Sequence, residues 1–277
     1  MVLGQRGTHV AGNSATLTLL GRWRLRVGDQ EIILGRRERR LLACLAINGG
    51  RSRDWLAATL WPDATEERAT ASLRTTLWSL RRTVPGLTCI TGRLLSLGVG
   101  VESDLDRLRH DISKITSRTS AEQTDLDEAG VLQVSVAPEL LPGWYEDWVL
   151  FERERLRNRQ LEALKSLADR ALRAGQTRPA ITYANAAIAI EPHDDQSVIM
   201  LISAQLELGH VADALRSFHQ YRTRLRAELN AQPSLQVRRV IEQALPAPLR
   251  SRSATPVAAP VARVVRLRAG RVAGPGK

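Results

Sequence analysis

Apolar residues alternate along the front of the chain. Leu17 and Leu19, then Trp23, Leu25 and Val27, then Ile32 and Leu34 recur at every second position, with Arg22, Arg24 and Arg26 between them. A period of two marks a strand with one buried face, and Gly28-Asp29 is a hairpin-turn signal. Three short antiparallel strands are predicted, at 15–20, 22–27 and 30–34. The period then changes to that of a helix. Leu41, Leu42, Leu45 and Ala46 give one face of a helix over 36–48, stopped by Asn48-Gly49-Gly50. Ser52 is placed to cap a second helix, 53–60, carrying Trp55, Leu56 and Leu60. Pro62 ends it. Thr65 is placed to cap a third helix, 66–84, which Pro85-Gly86 stops.

The third helix is the stretch around which the rest is organised. Leu73, Leu77, Leu80 and Val84 form an apolar seam at i, i+4, i+7 and i+11. The opposite face carries Arg74, Thr75, Trp78, Ser79, Arg81 and Arg82 and no acid. Both acids of the helix, Glu66 and Glu67, sit in the first turn, where the helix dipole favours them. After it, 87–90 and 94–97 read as a β-hairpin whose tip, Thr91-Gly92-Arg93, is basic.

Further along the pattern is helical. Leu105, Leu108, Ile112 and Ile115 mark a helix over 105–116, whereas 117–136 is polar and weakly patterned. Val149, Leu156, Leu161, Leu164, Leu167 and Ala171 support a long helix from 148 to 174. Before it, Trp144, Tyr145 and Trp148 lie within five residues. Such a cluster serves as a ligand box or as an anchor packing a loop on helices; packing is the expectation. A repeat then emerges. Leu172 and Leu206, Gly175 and Gly209, Ala180 and Ala214, and Ala184 and Phe218 are each 34 residues apart, which is the tetratricopeptide period. Helices are predicted at 179–191, 195–208, 211–230 and 234–245. Only two repeat units are clear, so the helices at 148–174 and 234–245 must complete and cap the stack.

Charge adds direction to this outline. Residues 1–100 hold 15 Lys and Arg against 7 Asp and Glu, residues 101–249 hold 18 against 22, and residues 250–277 hold 7 against none. A basic front and tail with a faintly acidic middle place polyanion contact at the ends. Only Lys114, Lys165 and Lys277 of the 40 cations are Lys. That excess of Arg suits phosphate and guanine recognition, and a GC-rich genome produces it equally well. In a helix-turn-helix the second helix of the pair reads the major groove, here 66–84, and the hairpin after it has the place of a wing. Arg74, Thr75, Trp78, Ser79, Arg81 and Arg82 are the candidate reading residues, with Arg81 bordering the seam and suited to a phosphate. Trp78 either stacks on a sugar or a thymine methyl or packs against the wing. Arg36, Arg37, Arg40, Arg53 and Arg93 are phosphate candidates. Arg36, Arg37 and Arg40 crowd a helix N-terminus, a mild cost against the dipole that nearby phosphate offsets.

Residues 14–104 resemble the OmpR-like winged helix of the Streptomyces antibiotic regulatory protein family of bacterial activators. The resemblance rests on Leu20-Gly21, the Arg36-to-Leu45 helix, the run Arg53-Asp54-Trp55-Leu56-Ala57-Ala58-Thr59-Leu60-Trp61-Pro62-Asp63, and Ala71-Ser72-Leu73-Arg74 through Ser79-Leu80-Arg81-Arg82. The stretch Leu140-Leu141-Pro142-Gly143-Trp144-Tyr145-Glu146-Asp147-Trp148, with Glu152-Arg153, is similar to the entry of the bacterial transcriptional activator domain in the same regulators. The resemblance implies an α+β winged helix-turn-helix domain at 14–104 and an all-α helical-repeat activator domain at 105–245; Pro246, Pro248, Pro260 and Pro275 with seven cations predict a disordered basic tail at 246–277. The resemblance also implies double-stranded promoter DNA carrying direct repeats and RNA polymerase as partners, and control of the kind exerted over a secondary-metabolite gene cluster. No receiver domain precedes the winged helix, so the expected control is not phosphorylation of an upstream Asp. The nucleotide-binding module of larger members is not expected either, because no G-x-x-x-x-G-K-[ST] occurs.

Other classes find little support. His9, His110, His193, His210 and His219 are scattered, with no HExxH and no nucleophile elbow, so no catalytic, metal or cofactor site is expected. His193-Asp194-Asp195 is better placed to cap a helix than to hold a metal. Cys44 and Cys89 have no CxxC partner, and the front of the chain has no apolar core of a signal peptide. A cytoplasmic protein with no membrane span is expected. The repeat domain is expected to form a homodimer or to sense a partner. One alternative remains open, a helical-repeat scaffold whose winged helix contacts protein and not promoter DNA.

Overall fold

A computed structural model describes residues 14–117 and 128–244; the basic tail predicted at 246–277 and His9 lie outside the described residues. Four strands form the first sheet: β1 (Ala15–Thr18), β2 (Arg24–Val27), β3 (Gln30–Glu31) and β7 (Val101–Ser103), in the order β3-β2-β1-β7. The first three are antiparallel as predicted, and β7 adds parallel to β1. Ala15, Leu17 and Leu25 point into the core, while Thr16 and Arg26 point out. The strands are shorter than predicted. Leu19 and Leu20 leave the ladder because the carboxylate of Asp104 accepts both of their N–H groups, at 2.8 and 3.0 Å.

Three helices follow, α1 (Arg36–Asn48), α2 (Arg53–Leu60) and α3 (Glu66–Thr83), within one or two residues of their predicted bounds. Gly49 stops α1 at a φ of +72°, and Ser52 caps α2 by accepting from the Trp55 N–H at 3.3 Å. Leu41, Cys44 and Leu45 of α1, Leu56, Ala57 and Leu60 of α2, and Ala69, Leu73 and Leu77 of α3 close on one another with Leu95. That Leu comes from the second sheet, β4 (Arg51–Ser52), β5 (Thr88–Thr91) and β6 (Leu94–Leu97), in the order β4-β6-β5.

The helical part begins with α4 (Asp104–Ser117) and α5 (Glu128–Val136), the latter in the stretch whose sequence has little pattern. Then come α6 (Asp147–Arg173), α7 (Thr177–Ile190), α8 (Asp195–Glu207), α9 (Val211–Leu229) and α10 (Leu235–Ala244). The 34-residue repeat is visible in the turns. The Gly175 N–H donates to Leu172 O and the Gln176 N–H to Ala171 O; one repeat later the Gly209 N–H donates to Leu206 O and the His210 N–H to Gln205 O. Both glycines have positive φ, +68° and +74°, so both turns are the same left-handed helix stop. Ala180, Ala184, Ala214 and Phe218 are buried where the helices touch. Asp194 caps α8 by accepting from the Ser197 N–H at 2.8 Å, the role expected for the His193-Asp194-Asp195 segment. Val237 and Ile241 of α10 pack on α8 and α9 and close that end.

The two halves share a core. One apolar cluster runs from Leu17 and Leu25 through Leu105, Ile112 and Leu140 to Leu164 and Ala187. Backbone also crosses: Leu20 bridges Leu140, the Gly21 N–H donates to Glu139 O at 2.7 Å, and the Leu141 N–H to Leu19 O at 2.8 Å. Arg109 of α4 ties the parts together from the side. Its guanidinium donates to Ala46 O and Ile47 O at the end of α1, and to the buried Glu152 of α6 at 2.6 Å.

Candidate nucleic-acid interface

Helix α3 is held by its seam. Ala69, Leu73, Thr76, Leu77 and Leu80 are buried, and Val84 just beyond the helix is half-buried. Thr76 enters this otherwise apolar line because its hydroxyl donates to Ser72 O at 2.8 Å and needs no outside partner. Thr65 occupies the N-cap position, but its side chain makes no capping bond; Glu66 and Glu67 supply the negative end instead.

The outer face follows from that anchoring. Arg74, Thr75, Trp78, Arg81 and Arg82 are exposed, while Ser79 is half-buried. Arg74 and Arg81 have no side-chain partner among the described residues. A free guanidinium on an acid-free face is a strong anion donor, since no internal pair competes. The Thr75 hydroxyl donates back to Ala71 O at 3.0 Å, which leaves its methyl and its oxygen lone pairs outward. Trp78 is 62% exposed, and the Arg82 guanidinium lies over its ring at 5.4 Å. The pair presents one flat cationic surface. Arg68 belongs to the same face, exposed and without a partner among the described residues. Its spacing to Thr75, Trp78 and Arg82 is helical, a signal the sequence carried.

The flanks complete the surface. Gly92 and Arg93 form the two-residue turn between β5 and β6, with Gly92 at φ +61°, so Arg93 stands exposed at the tip. Arg37 and Arg53 are exposed at the starts of α1 and α2. Arg51 lies over Trp55 at 5.3 Å, a second cation–aromatic pair. The other two phosphate candidates are placed differently. Arg40 reaches across to Glu146, Nε to Oε1 at 3.0 Å, both side chains only 19% exposed, so an internal acid occupies it. Arg36 is exposed but lines a cleft with Arg39, Trp144 and Tyr145 rather than extending the α3 face.

A helix-turn-helix with an exposed basic second helix, a hairpin behind it and a helical-repeat body together make a winged helix joined to a helical-repeat domain. Comparison with known proteins agrees: residues 117–245 match the family model of the bacterial transcriptional activator domain. A similar solved structure is Mycobacterium tuberculosis EmbR in complex with a low-affinity phosphopeptide, at 19% identity and a TM-score of 0.65. The likeness covers 84% of this chain and 65% of that one, so the chain spans about two thirds of EmbR's length. No curated protein sequence matches the chain. Residues 117–245 thus match a bacterial transcriptional activator domain, and the fold sets them behind a winged helix. No helix of the described residues is long and apolar enough to cross a membrane.

Proposed function

We propose that the chain is a cytoplasmic, sequence-specific DNA-binding transcriptional activator that binds promoter repeats as a homodimer and recruits RNA polymerase. Residues 14–104 bind DNA, 105–245 contact partners, and the tail at 246–277 adds phosphate affinity. The observation that carries the reading is the outer face of α3, basic beyond its two leading acids and with three guanidinium groups, of Arg68, Arg74 and Arg81, unpaired among the described residues. In the groove, Arg74, Thr75, Trp78 and Arg82 face base edges. Arg68 and Arg81 flank them toward the backbone, and Arg37, Arg53 and Arg93 hold phosphates. The cleft position of Arg36 and the pairing of Arg40 take both out of the set.

A mobility shift against genomic fragments at stated salt tests this. Arg74→Ala should cost about 1–3 kcal/mol at one base position, whereas Arg93→Ala should weaken all sequences alike and lower the salt slope by about one. The proposal fails if no fragment shifts at about 50–100 mM salt, where phosphate contacts are strong; that result favours the protein-interaction scaffold. It also fails if Arg74→Ala plus Arg82→Ala leaves footprint and salt dependence unchanged.

A further inference from the structure

A cleft lies away from α3, between the α1 entry and the loop ahead of α6. It has a volume of about 860 Å³, within the about 300–1,000 Å³ common for small-molecule sites. One wall is the entry to α1, with Leu34, Gly35, Arg36, Arg39 and Arg40; the other is the loop Gly143–Glu146 ahead of α6. The aromatic cluster noted in the sequence splits here. Trp144 packs edge-to-face on Trp148, centroids 6.4 Å apart, as an anchor does. Tyr145 is 78% exposed beside the cleft, so packing does not account for its ring.

The three cations of the cleft are not equivalent. The Arg39 Nε donates to Leu34 O at 2.7 Å, and its guanidinium lies over Trp23 at 5.2 Å. Arg40 is paired with Glu146 by distance, yet its buried Nε has no partner in hydrogen-bonding alignment. The Glu38 carboxylate lies beside Gly35 in the first turn of α1. Arg36 remains exposed, with no partner among the described residues. The cleft thus offers one free guanidinium, one imperfectly satisfied one, and two aromatic rings. That set suits one monoanionic planar group next to one flat ring. A dianion would need a second free cation.

We infer that the cleft between the α1 N-terminus and the Gly143–Glu146 loop binds a small planar aromatic carboxylate. The carboxylate pairs with Arg36, and the ring lies against Tyr145 and Trp144. Its occupant touches both halves of the molecule, and α1 packs directly on α3 through Leu41, Cys44 and Leu45. The site is independent of whether the protein binds DNA.

The test is calorimetric titration of 1-naphthoate into the full chain, without DNA. Saturable one-to-one binding is expected. Arg36→Gln and Tyr145→Ala, both at exposed positions, should weaken it by at least about ten-fold, the loss of one charge-assisted or stacking contact. Lys114→Gln, a surface charge change on α4, should leave it intact. The neutral 1-naphthalenemethanol and the ringless cyclohexanecarboxylate should each bind at least about ten-fold more weakly than 1-naphthoate. The inference is overturned by the absence of saturable binding up to about 10 mM, the weak limit for a ligand of this size. Binding that Arg36→Gln and Tyr145→Ala leave unchanged overturns it too, as does equal affinity for the neutral analogue. Circular dichroism of each variant confirms that it is folded.

Discussion

Arg109→Met removes the side chain that joins α1, α4 and α6. The guanidinium donates to Glu152 Oε1 through Nη2 at 2.6 Å and Nε at 3.2 Å, to Ile47 O at 2.8 Å and to Ala46 O at 3.2 Å. Glu152 has a side-chain exposure of 8%, and its other cation, Arg155, is 3.7 Å away and 62% exposed. The substitution leaves a buried carboxylate facing only a solvated partner, with two helix-end carbonyls lacking their donor. Breaking a buried pair from one side costs about 3–5 kcal/mol. Arg155 and the 22% exposure of Arg109 place this case near the lower figure. For a chain of this size about 3 kcal/mol corresponds to a fall of roughly 6–12 °C in melting temperature. Thermal unfolding by circular dichroism measures it, and amide exchange at the end of α1 should quicken. Arg109→Met with Glu152→Met should recover most of the loss, because no charge is then stranded. A single-variant effect below about 1 kcal/mol, the range of exposed pairs, would refute the reasoning.

Other perturbations test other links. A Cβ on Gly98 would stand 1.9 Å from Gly86 O, so Gly98→Ala should displace the base of the wing and cost about 1–3 kcal/mol. On the proposed function it also weakens DNA binding in a mobility shift without touching α3. Gly175→Ala and Gly209→Ala should destabilise alike, by about 1–2 kcal/mol each, because the two turns share one left-handed geometry; denaturant titration compares them. Burial pushes the Cys44 thiol up to about 12. It should therefore resist thiol-specific reagents in the native protein at pH 8 and react once the chain is unfolded. Because the native value is raised, the stability contributed by Cys44 holds below the ordinary thiol range and is lost as pH rises toward 12.

Local patterns were readable before the fold was known. The seam Leu73, Leu77, Leu80 is a property of one helix, and the 34-residue spacing is a property of one repeat. Both survive because neighbours in sequence decide them. Helix caps at Ser52 and Asp194 were readable for the same reason. The strands β4 and β7 were not, since two or three residues carry no period and exist only because β6 and β1 offer free edges. Nor was the fate of Arg40. Its first-turn position suggests phosphate, but Glu146 lies 106 residues later, and only the tertiary fold brings them together. Nor was the role of Arg109, because its acceptors are two carbonyls and an acid from distant helices. Arg68 was legible: it continues the outer face of α3 by the same count that placed Trp78 and Arg82.

On the proposed function, the backbone bridge from Leu20 to Leu140 bears on how the protein would meet a promoter. A reading head tethered by a flexible strap searches for its half-site at any angle, and a few extra base pairs matter little. Here the head is stitched to the body by ladder bonds and a common interior, so its orientation is fixed by the body. On the proposed reading as a homodimer, two copies joined through their bodies would hold their α3 helices at one set distance and one set rotation. Adding about five base pairs between paired half-sites, half a helical turn, turns one site to the far side of the duplex. Such a spacer should abolish cooperative binding, and adding a full turn should restore part of it.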